Sequence, residues 1–394
     1  MRRRLLGFGL ATIAACSHGG DHAGPTPVVD SLIVATVPVP RNYGIHDTFV
    51  RDGIAFVCAW NSGVLIYDVG NGIKGGSPAH PVLVSSYAVP GGEVHNAWWF
   101  HNPNTNEKKY LFIGQEGPGT IGSSSNGDLH VLDVSDLTAP TQVATFHING
   151  AGPHNFWMDE AAQILYAAYY NAGIVSLDVS GTLSGDLSAR GIDTIAPGGA
   201  GNTYVWGVQL YNGSLYATDM LSGFWQLGDS AGHLSIAGGG NNVPERYGSD
   251  QWVATGYAYS GTWGGAARLG HAGNVVKVWQ LGVSGAPTLV DSIVVPGVST
   301  ISDLEVSSSG NLLMISTETY GGGGNAGILF YSLGNRAHPA LLTTYPVNAN
   351  TDGIHTATFG YINGKVYVFA ARDPGFGGNP PEPALLILDV TAFQ

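Results

Sequence analysis

The 394-residue sequence has few charged residues. Only 11% of its positions carry charge, and 28 acidic residues outnumber 15 basic ones, for a formal net charge of −13. A protein that follows a nucleic-acid backbone needs basic patches, which this composition does not supply. A nucleic-acid partner is therefore excluded. Because 44% of the residues are hydrophobic, the chain is also too apolar to be disordered.

Long hydrophobic runs are absent as well. The longest run near the start, Leu5–Ala15, follows three arginines and is too short to cross a bilayer, which needs roughly 20 residues. It ends at Cys16 in Ile-Ala-Ala-Cys, which resembles the lipobox of bacterial lipoproteins. We expect residues 1–16 to be a signal peptide with lipidation at Cys16, and residues 17–29 to be a flexible tether. An ordinary secretory signal with a coincidental cysteine is the alternative.

This resemblance implies an exported protein that is attached to the membrane of the cell envelope by its lipid. Ser17 stands where the resemblance associates aspartate with inner-membrane retention, so the outer membrane is favoured in a Gram-negative cell. Cys58, the other cysteine, lies in an apolar run and reads as a small buried residue. No intramolecular disulfide can form once Cys16 is lipidated.

Glycine and proline are abundant, at 59 and 21 residues. Both break helices, so the sequence predicts an all-β fold. A phrase of two strand-like runs separated by a glycine-rich break recurs about every 50 residues, as in β-propeller repeats. Its seven copies are Ile54–Trp60 with Gly63–Val69, Tyr110–Ile113 with Gly127–Ser135, Ile164–Tyr169 with Gly173–Ser180, Ser214–Asp219 with Gly223–Leu227, Tyr257–Trp263 with Val275–Leu281, Leu312–Thr317 with Gly327–Leu333, and Val366–Ala371 with Ala384–Val390.

Each copy is flanked by two further strand-like runs, which gives units of four strands. The sequence thus predicts a seven-bladed β-propeller with four-stranded blades over residues 30–394. The last copy lacks a fourth strand, and Ser31–Pro38 has the composition to supply it. We expect this N-terminal strand to close the ring, which removes the exposed sheet edges. Two β-sandwich domains are the alternative, but no linker interrupts the series.

The phrase Leu132-Asp133-Val134-Ser135, followed by Ala139-Pro140 and a β run, resembles the LVIVD-repeat family of exported bacterial β-propellers. The resemblance covers roughly residues 30–394 and implies the fold, but no reaction. Copies four to six depart from it, with Leu-Gly-Asp, Leu-Gly-Val and Leu-Gly-Asn in place of Leu-Asp-Val.

In a propeller, the residues that precede each innermost strand form a ring at the top of the central channel. Counting back from the second strand of each copy predicts this ring as His46, His95, His154, Trp206, Asp250, Asp303 and His355. Imidazole is a common transition-metal ligand, and three or four converging imidazoles suit zinc, copper, iron or nickel. The four histidines therefore predict a site for one transition-metal ion. A purely structural ring, or a site for an organic ligand, is the alternative.

The loops that follow the second strands open on the same face. They add the candidate ligand-binding residues Glu116, Asp219, Glu318, Arg372 and Asp373 to Trp206, Asp250 and Asp303. Carboxylates near the histidines are typical of residues that hold the second imidazole nitrogen of a metal ligand. Glycine-rich stretches such as 115–126 and 320–325 would flank this face.

The sequence has no HExxH, GxSxG, CxxC or phosphate-loop motif. Our first hypothesis is accordingly a lipid-anchored, monomeric propeller that binds a ligand or an envelope protein through its top face. The second is a metal-dependent enzyme, of oxidoreductase type, with His46, His95, His154 and His355 as ligands. The third is an adhesion or polysaccharide-binding module that stacks sugars on its tryptophans.

Overall fold

The structure is a computed structural model that describes residues 32–40, 44–119, 125–240, 246–282, 285–319, 326–347, 351–373 and 383–394. The predicted signal peptide 1–16 with Cys16, and the predicted tether 17–29, lie outside these residues.

The described residues form β-strands and two single-turn 3-10 helices, Ser188–Arg190 and Thr391–Phe393. In this part of the chain, no helix has the length and apolar character needed to cross a membrane. The strands are β1 (Ile33–Pro38), β2 (Thr48–Arg51), β3 (Ile54–Cys58), β4 (Val64–Asp68), β5 (Val82–Tyr87), β6 (Val94–Phe100), β7 (Tyr110–Gln115), β8 (Asp128–Asp133), β9 (Thr141–His147), β10 (Phe156–Asp159), β11 (Ile164–Ala168), β12 (Ile174–Asp178), β13 (Gly185–Asp186), β14 (Gly191–Ile195), β15 (Val205–Tyr211), β16 (Ser214–Asp219), β17 (Gly223–Ser230), β18 (His233–Gly239), β19 (Tyr247–Ala254), β20 (Tyr257–Trp263), β21 (Val275–Gln280), β22 (Thr288–Val294), β23 (Thr300–Val306), β24 (Leu312–Glu318), β25 (Gly327–Ser332), β26 (Ala340–Pro346), β27 (Gly353–Ile362), β28 (Lys365–Asp373) and β29 (Ala384–Asp389).

These strands form six sheets of antiparallel meanders. Four sheets have four strands each, in the orders β2-β3-β4-β5, β10-β11-β12-β14, β15-β16-β17-β18 and β19-β20-β21-β22. A fifth, β6-β7-β8-β9, gains the short strand β13 in parallel beside β9. The all-β prediction is confirmed.

The sixth sheet has eight strands and consists of two meanders. One is β23 to β26, and the other is β27, β28, β29 and β1; a single residue pair, Glu318 with Gly353, joins them. The N-terminal strand β1 runs antiparallel to β29, with Pro38 opposite Ala384. The predicted pairing of the N-terminal strand with the last repeat is therefore present.

The first strands of successive meanders pack side by side around a common axis. Each contacts the next, and the last contacts the first, in the order β2, β6, β10, β15, β19, β23, β27. Apolar side chains fill the space between neighbouring meanders; Phe56, Trp99 and Leu111, for example, share one buried cluster. Burying a side chain of this kind contributes about 1.5–3 kcal/mol, so packing between meanders holds the assembly together.

The recurring sequence phrase has local structural causes. At Gly63, in a left-handed conformation with φ of 104°, a Cβ atom would lie 1.9 Å from the Tyr87 carbonyl oxygen. Gly173 makes the same approach to Ile195. The aspartate of Leu-Asp-Val ends the third strand: Asp133 accepts a hydrogen bond from the Ser135 amide, and Asp178 accepts one from the Ser180 amide. Only glycine fits the first position, and a short acceptor suits the second.

Candidate metal centre and axial cavity

The four predicted histidines lie together at one end of the axis. Their ring centroids are 4.0 Å apart for His355 and His46, 4.1 Å for His46 and His95, and 3.8 Å for His95 and His154. They form a continuous arc, hereafter the axial histidines, although they are up to 309 residues apart in sequence (355 − 46). The four rings are therefore neighbours at the end of the axis where the repeat spacing predicts them.

Backbone hydrogen bonds place each histidine at the start of its inner strand. The His46 amide donates to Cys58 O at 2.9 Å, and the His154 amide donates to Ala168 O at 2.7 Å. His95 and His355 lie in β-bulges, where β6 and β27 shift register against their neighbours. Bulges turn side chains out of the regular alternation, so both imidazoles point along the axis rather than between sheets.

Two of the imidazoles are fixed by acceptors at Nδ1. His154 Nδ1 lies 2.6 Å from the Trp206 carbonyl oxygen, and His355 Nδ1 lies 2.9 Å from Glu318 Oε1. Ser302 in turn donates to Glu318 Oε2 at 2.6 Å. In a neutral imidazole such as His154, an acceptor at Nδ1 holds the proton there and leaves the Nε2 lone pair for a metal ion.

The other two histidines differ in their partners. Nδ1 of His95 is buried and has no hydrogen-bond partner among the described residues, whereas the His46 imidazole interacts with the His95 backbone. Packing also holds the His46 ring, as Trp60 stacks on it with centroids 4.8 Å apart. A buried nitrogen without a partner costs free energy, which a bound cation would recover.

The protonation of the cluster differs between its members. Burial lowers the pKa of His46, His95 and His154 well below 6.5, and the neighbouring imidazoles lower it further. Burial also disfavours charge on His355, but the Glu318 carboxylate reverses this effect and raises the His355 pKa to about 10. Three of the four imidazoles are thus neutral, which is the form that binds metal.

Carboxyl groups lie at both sides of the arc. Ligand atoms of His46, His95 and Glu116 lie within 4.8 Å of one another, and so do those of Glu318, His355 and Asp373. The Tyr170 hydroxyl donates a hydrogen bond to Glu116 Oε1. Burial raises the pKa of Glu116 to about 7. Three of the predicted top-face residues, Glu116, Glu318 and Asp373, therefore belong to this site.

The other predicted residues have different places. Trp206 contacts the site through its ring, 4.4 Å from that of His154, as well as through its carbonyl. Asp219 instead accepts hydrogen bonds from three backbone amides, of Tyr204, Leu221 and Ser222, so it caps a turn. Arg372, in β28, is the strand partner of Ile354 in β27 and belongs to neither group of candidate metal ligands.

The prediction that Asp250 and Asp303 belong to the ring is wrong. Each lies one residue after the position that is equivalent to the histidines. Bulges between Gly248 and Gln251, and between Ile301 and Asp303, each insert an extra residue. The residues equivalent to the histidines are consequently Ser249 and Ser302. Equivalent bulges hold His95 and His355, so the prediction took the polar residue next to the ring position, and the two aspartates lie below the ring rather than in it.

Directly below the axial histidines lies a cavity of about 620 Å³, hereafter the axial cavity. The residues that follow the histidines and their equivalents line its upper part: Asp47, Asn96, Asn155, Asp250, Asp303 and Thr356. The inner strands alternate between buried residues and half-buried residues that face the cavity, as in Asp250, Gln251, Trp252 and Val253. The cavity therefore extends from the candidate metal centre along the inner strands.

Sequence reasoning missed the aromatic wall of this cavity. Phe49, Trp98, Trp157 and Trp252 form an arc, with successive ring centroids 5.3, 5.5 and 5.8 Å apart. These four residues occur three positions after His46, His95, His154 and Ser249, and that spacing is the signal that would have located them. The contacts of Tyr170 and Trp60 with the site were missed too, and each residue lies two positions after the second strand of its meander.

Comparisons with known proteins are consistent with this architecture. No family model matches the sequence, and no curated protein matches it. The β-propeller domain of Cps50 (Swd1) from Myceliophteria thermophila superimposes with a TM-score of 0.61 at 9% identity, covering 91% of this chain and 99% of that one. A chain in the crystal structure of the Mitotic Checkpoint Complex gives a TM-score of 0.61 at 12% identity, covering 99% of both chains.

This chain has a β-propeller fold. At these identities the likeness concerns the fold alone, since propellers host many unrelated functions. The function of this propeller has to be argued from its site. Membership of the LVIVD-repeat family stays a prediction.

Proposed function

We propose that this protein is a seven-bladed propeller whose axial histidines bind one transition-metal ion at the top of the central channel. Seven blades follow if the eight-stranded sheet is counted as two meanders, with β1 as the outer strand of the last. The observation that carries the metal proposal is the arc of four imidazoles with ring centroids 3.8–4.1 Å apart. Four imidazole rings at this spacing in one buried place are suited to coordination.

Several features around the arc support coordination rather than a structural role. His154 has its Nδ1 atom engaged by a carbonyl acceptor, so its Nε2 lone pair is left as a ligand, whereas His355, cationic beside Glu318, would give up its Nε2 proton to a metal ion. His95 has a buried Nδ1 atom without a partner among the described residues. An imidazole with a purely structural role would normally have that nitrogen paired.

We further infer that the ion serves a metal-dependent enzyme of oxidoreductase type. Imidazole ligands suit copper and iron as well as zinc and nickel, and the first two support redox chemistry. We therefore rank the metal-dependent enzyme above the propeller that only binds a ligand or an envelope protein.

A protein-binding scaffold is the second candidate function. Its support is the likeness over 99% of both chains to a protein found in the Mitotic Checkpoint Complex, in which the related chain is part of an assembly. The same proposal includes export of the protein, attachment of a lipid at Cys16, membership of the LVIVD-repeat family and a partner in the cell envelope. The polysaccharide-binding hypothesis has less support, because Trp98, Trp157 and Trp252 line the axial cavity.

The test is metal analysis of the full-length chain, solubilised in detergent and purified without a histidine tag or chelator. We expect one copper, iron, zinc or nickel ion per chain, and loss of that ion in the double variant His95→Ala, His154→Ala. His147→Ala is the matched control, since His147 is exposed, pairs with Asp128 and belongs to neither group of candidate ligands. Circular dichroism and thermal melting establish that the variants are folded.

No uptake of metal by the wild type after incubation with copper, zinc, iron and manganese salts would contradict the proposal. Equal uptake by the double variant would contradict it as well, because the ion would then lie elsewhere.

A further inference from the structure

The axial cavity has two chemically different walls. One is the aromatic arc of Phe49, Trp98, Trp157 and Trp252 described above. The other is made of carboxyl groups, two of them on β23 and two that stand two residues before Phe49 and Trp252 in the sequence. This wall comprises Asp47, Asp250, Asp303 and Glu305.

The ionisable groups that line the cavity are mostly acidic. Among its described lining residues, the acidic ones are Asp47, Asp159, Glu160, Asp250, Asp303 and Glu305, and Arg51 is the one base. Arg51 is already matched, since its guanidinium forms two hydrogen bonds with Glu160, at 2.5 and 3.0 Å. Five carboxyl groups are thus left without a matching cation in the lining of one cavity.

The aromatic wall is held in place. Trp98 Nε1 donates to Glu160 Oε1 at 3.2 Å, so the ion pair with Arg51 also orients this indole. Each of the four aromatic residues is half-buried and faces the open volume, although it lies in an inner strand of the fold. Indole and phenyl faces attract cations, with tryptophan the strongest.

The carboxyl wall keeps acceptor atoms for the cavity. Thr358 and Phe359 both donate to Oε2 of Glu305, at 2.9 Å each, which leaves Oε1 for the cavity among the described residues. Asn96, only 4% exposed, lies in the roof beside this wall, and its side-chain oxygen is buried without a partner. A cavity of about 620 Å³ is within the usual size range for small-molecule sites.

We propose that the axial cavity binds an organic ammonium compound, with its cationic group toward Asp47, Asp250, Asp303 and Glu305 and its apolar body against the aromatic arc. The site does not depend on the proposed metal ion, because none of its residues is an axial histidine. A water-filled channel would need acidic or small polar residues alone. The aromatic arc is the feature that calls for an apolar body.

Phenethylamine is the probe that tests this proposal, with 2-phenylethanol and 3-phenylpropanoate as neutral and anionic counterparts of similar shape. Isothermal titration calorimetry uses the full-length chain freed of metal by a chelator, at a pH just above the Glu305 pKa of about 8. We expect phenethylamine to bind at least about tenfold more tightly than 2-phenylethanol, and 3-phenylpropanoate not to bind.

Two variants locate the binding. Glu305→Gln retains the acceptor for Thr358 and Phe359 but removes the charge, and Trp157→Leu removes the centre of the arc. Each is expected to weaken phenethylamine binding about tenfold or more. Trp263→Leu is the matched control, because Trp263 is half-buried at the end of β20 and outside the cavity. Melting curves establish that each variant is folded. If Trp157→Leu does not fold, the binding measurement on Glu305→Gln alone decides the test.

Equal affinity for phenethylamine and 2-phenylethanol, or unchanged affinity in Glu305→Gln, would overturn the ammonium site. The double variant His95→Ala, His154→Ala separates this result from the metal proposal. We expect it to bind phenethylamine like the wild type even though it has lost the metal ion.

Discussion

The propeller divides into two sides that share a backbone but differ at one position. Four meanders, which begin with β2, β6, β10 and β27, carry histidine just before or at the start of the inner strand. The other three, which begin with β15, β19 and β23, carry Trp206, Ser249 and Ser302 at the equivalent place. The same three also depart from the Leu-Asp-Val phrase. Repeats that keep the consensus phrase thus supply the candidate ligands, while the divergent repeats do not.

The divergent side nevertheless supports the histidines. Trp206 provides the carbonyl that fixes His154, and Ser302 holds the Glu318 carboxylate that fixes His355. One side therefore offers ligand atoms and the other orients them. Variants that exchange these roles, or remove them on one side only, test this division.

The two sides should contribute equally to stability, although they differ at the site. Phe56 in β3 and Phe330 in β25 are both fully buried. Phe56→Ala and Phe330→Ala are each expected to lower the free energy of unfolding by about 3–5 kcal/mol, measured by urea denaturation. If only the variant on the histidine side were destabilised, the two sides would not share one packing scheme.

Removal of a ring residue should affect metal affinity on the histidine side but not on the divergent side. His46→Ala is expected to weaken metal affinity more than about 100-fold, because it removes a ligand rather than its orienting partner. Ser249→Ala, at the equivalent place on the divergent side, should leave the affinity unchanged. Competition with a chromophoric chelator measures both, and a loss in Ser249→Ala would remove the distinction between the sides.

The orienting role of the divergent side predicts a smaller effect. Glu318→Ala removes the acceptor at His355 Nδ1 and is expected to weaken metal affinity about 10–100-fold. Glu318→Gln should recover part of this loss, because an amide oxygen still accepts from the imidazole. The same competition assay distinguishes the variants. If both variants matched the wild type, Glu318 would have no orienting role.

The smallest expected effect is on the pH dependence of stability. Burial, with Asp303 and Asp47 nearby, raises the Glu305 pKa from 4.5 to about 8, against hydrogen bonds from Phe359 and Thr358 that lower it. Between these values the folded state keeps a proton that the unfolded state releases, so stability falls as pH rises. Glu305→Gln should reduce this fall, measured as the melting temperature across that pH range. An unchanged slope would mean that Glu305 does not titrate in this way.

The sequence predicted the strands, the pairing of β1 with the last repeat and the four axial histidines, because each depends on a repeat that can be counted. It misplaced Asp250 and Asp303 by one residue, because each is a polar neighbour of the serine that occupies the ring position. It also gave Trp98, Trp157 and Trp252 no place on the axis. Whether such a residue faces a sheet or the axis depends on how the inner strands close, which their local sequence does not express.

Anomalous diffraction from crystals of the metal-loaded protein is the most direct test of metal binding by the axial histidines. We expect a single peak within about 2.0–2.3 Å of one imidazole nitrogen from each of His46, His95, His154 and His355. A peak bound instead by Glu318 and Asp373, with the other three histidines apart from it, would contradict binding by the axial histidines. So would a loaded crystal with no peak on the axis.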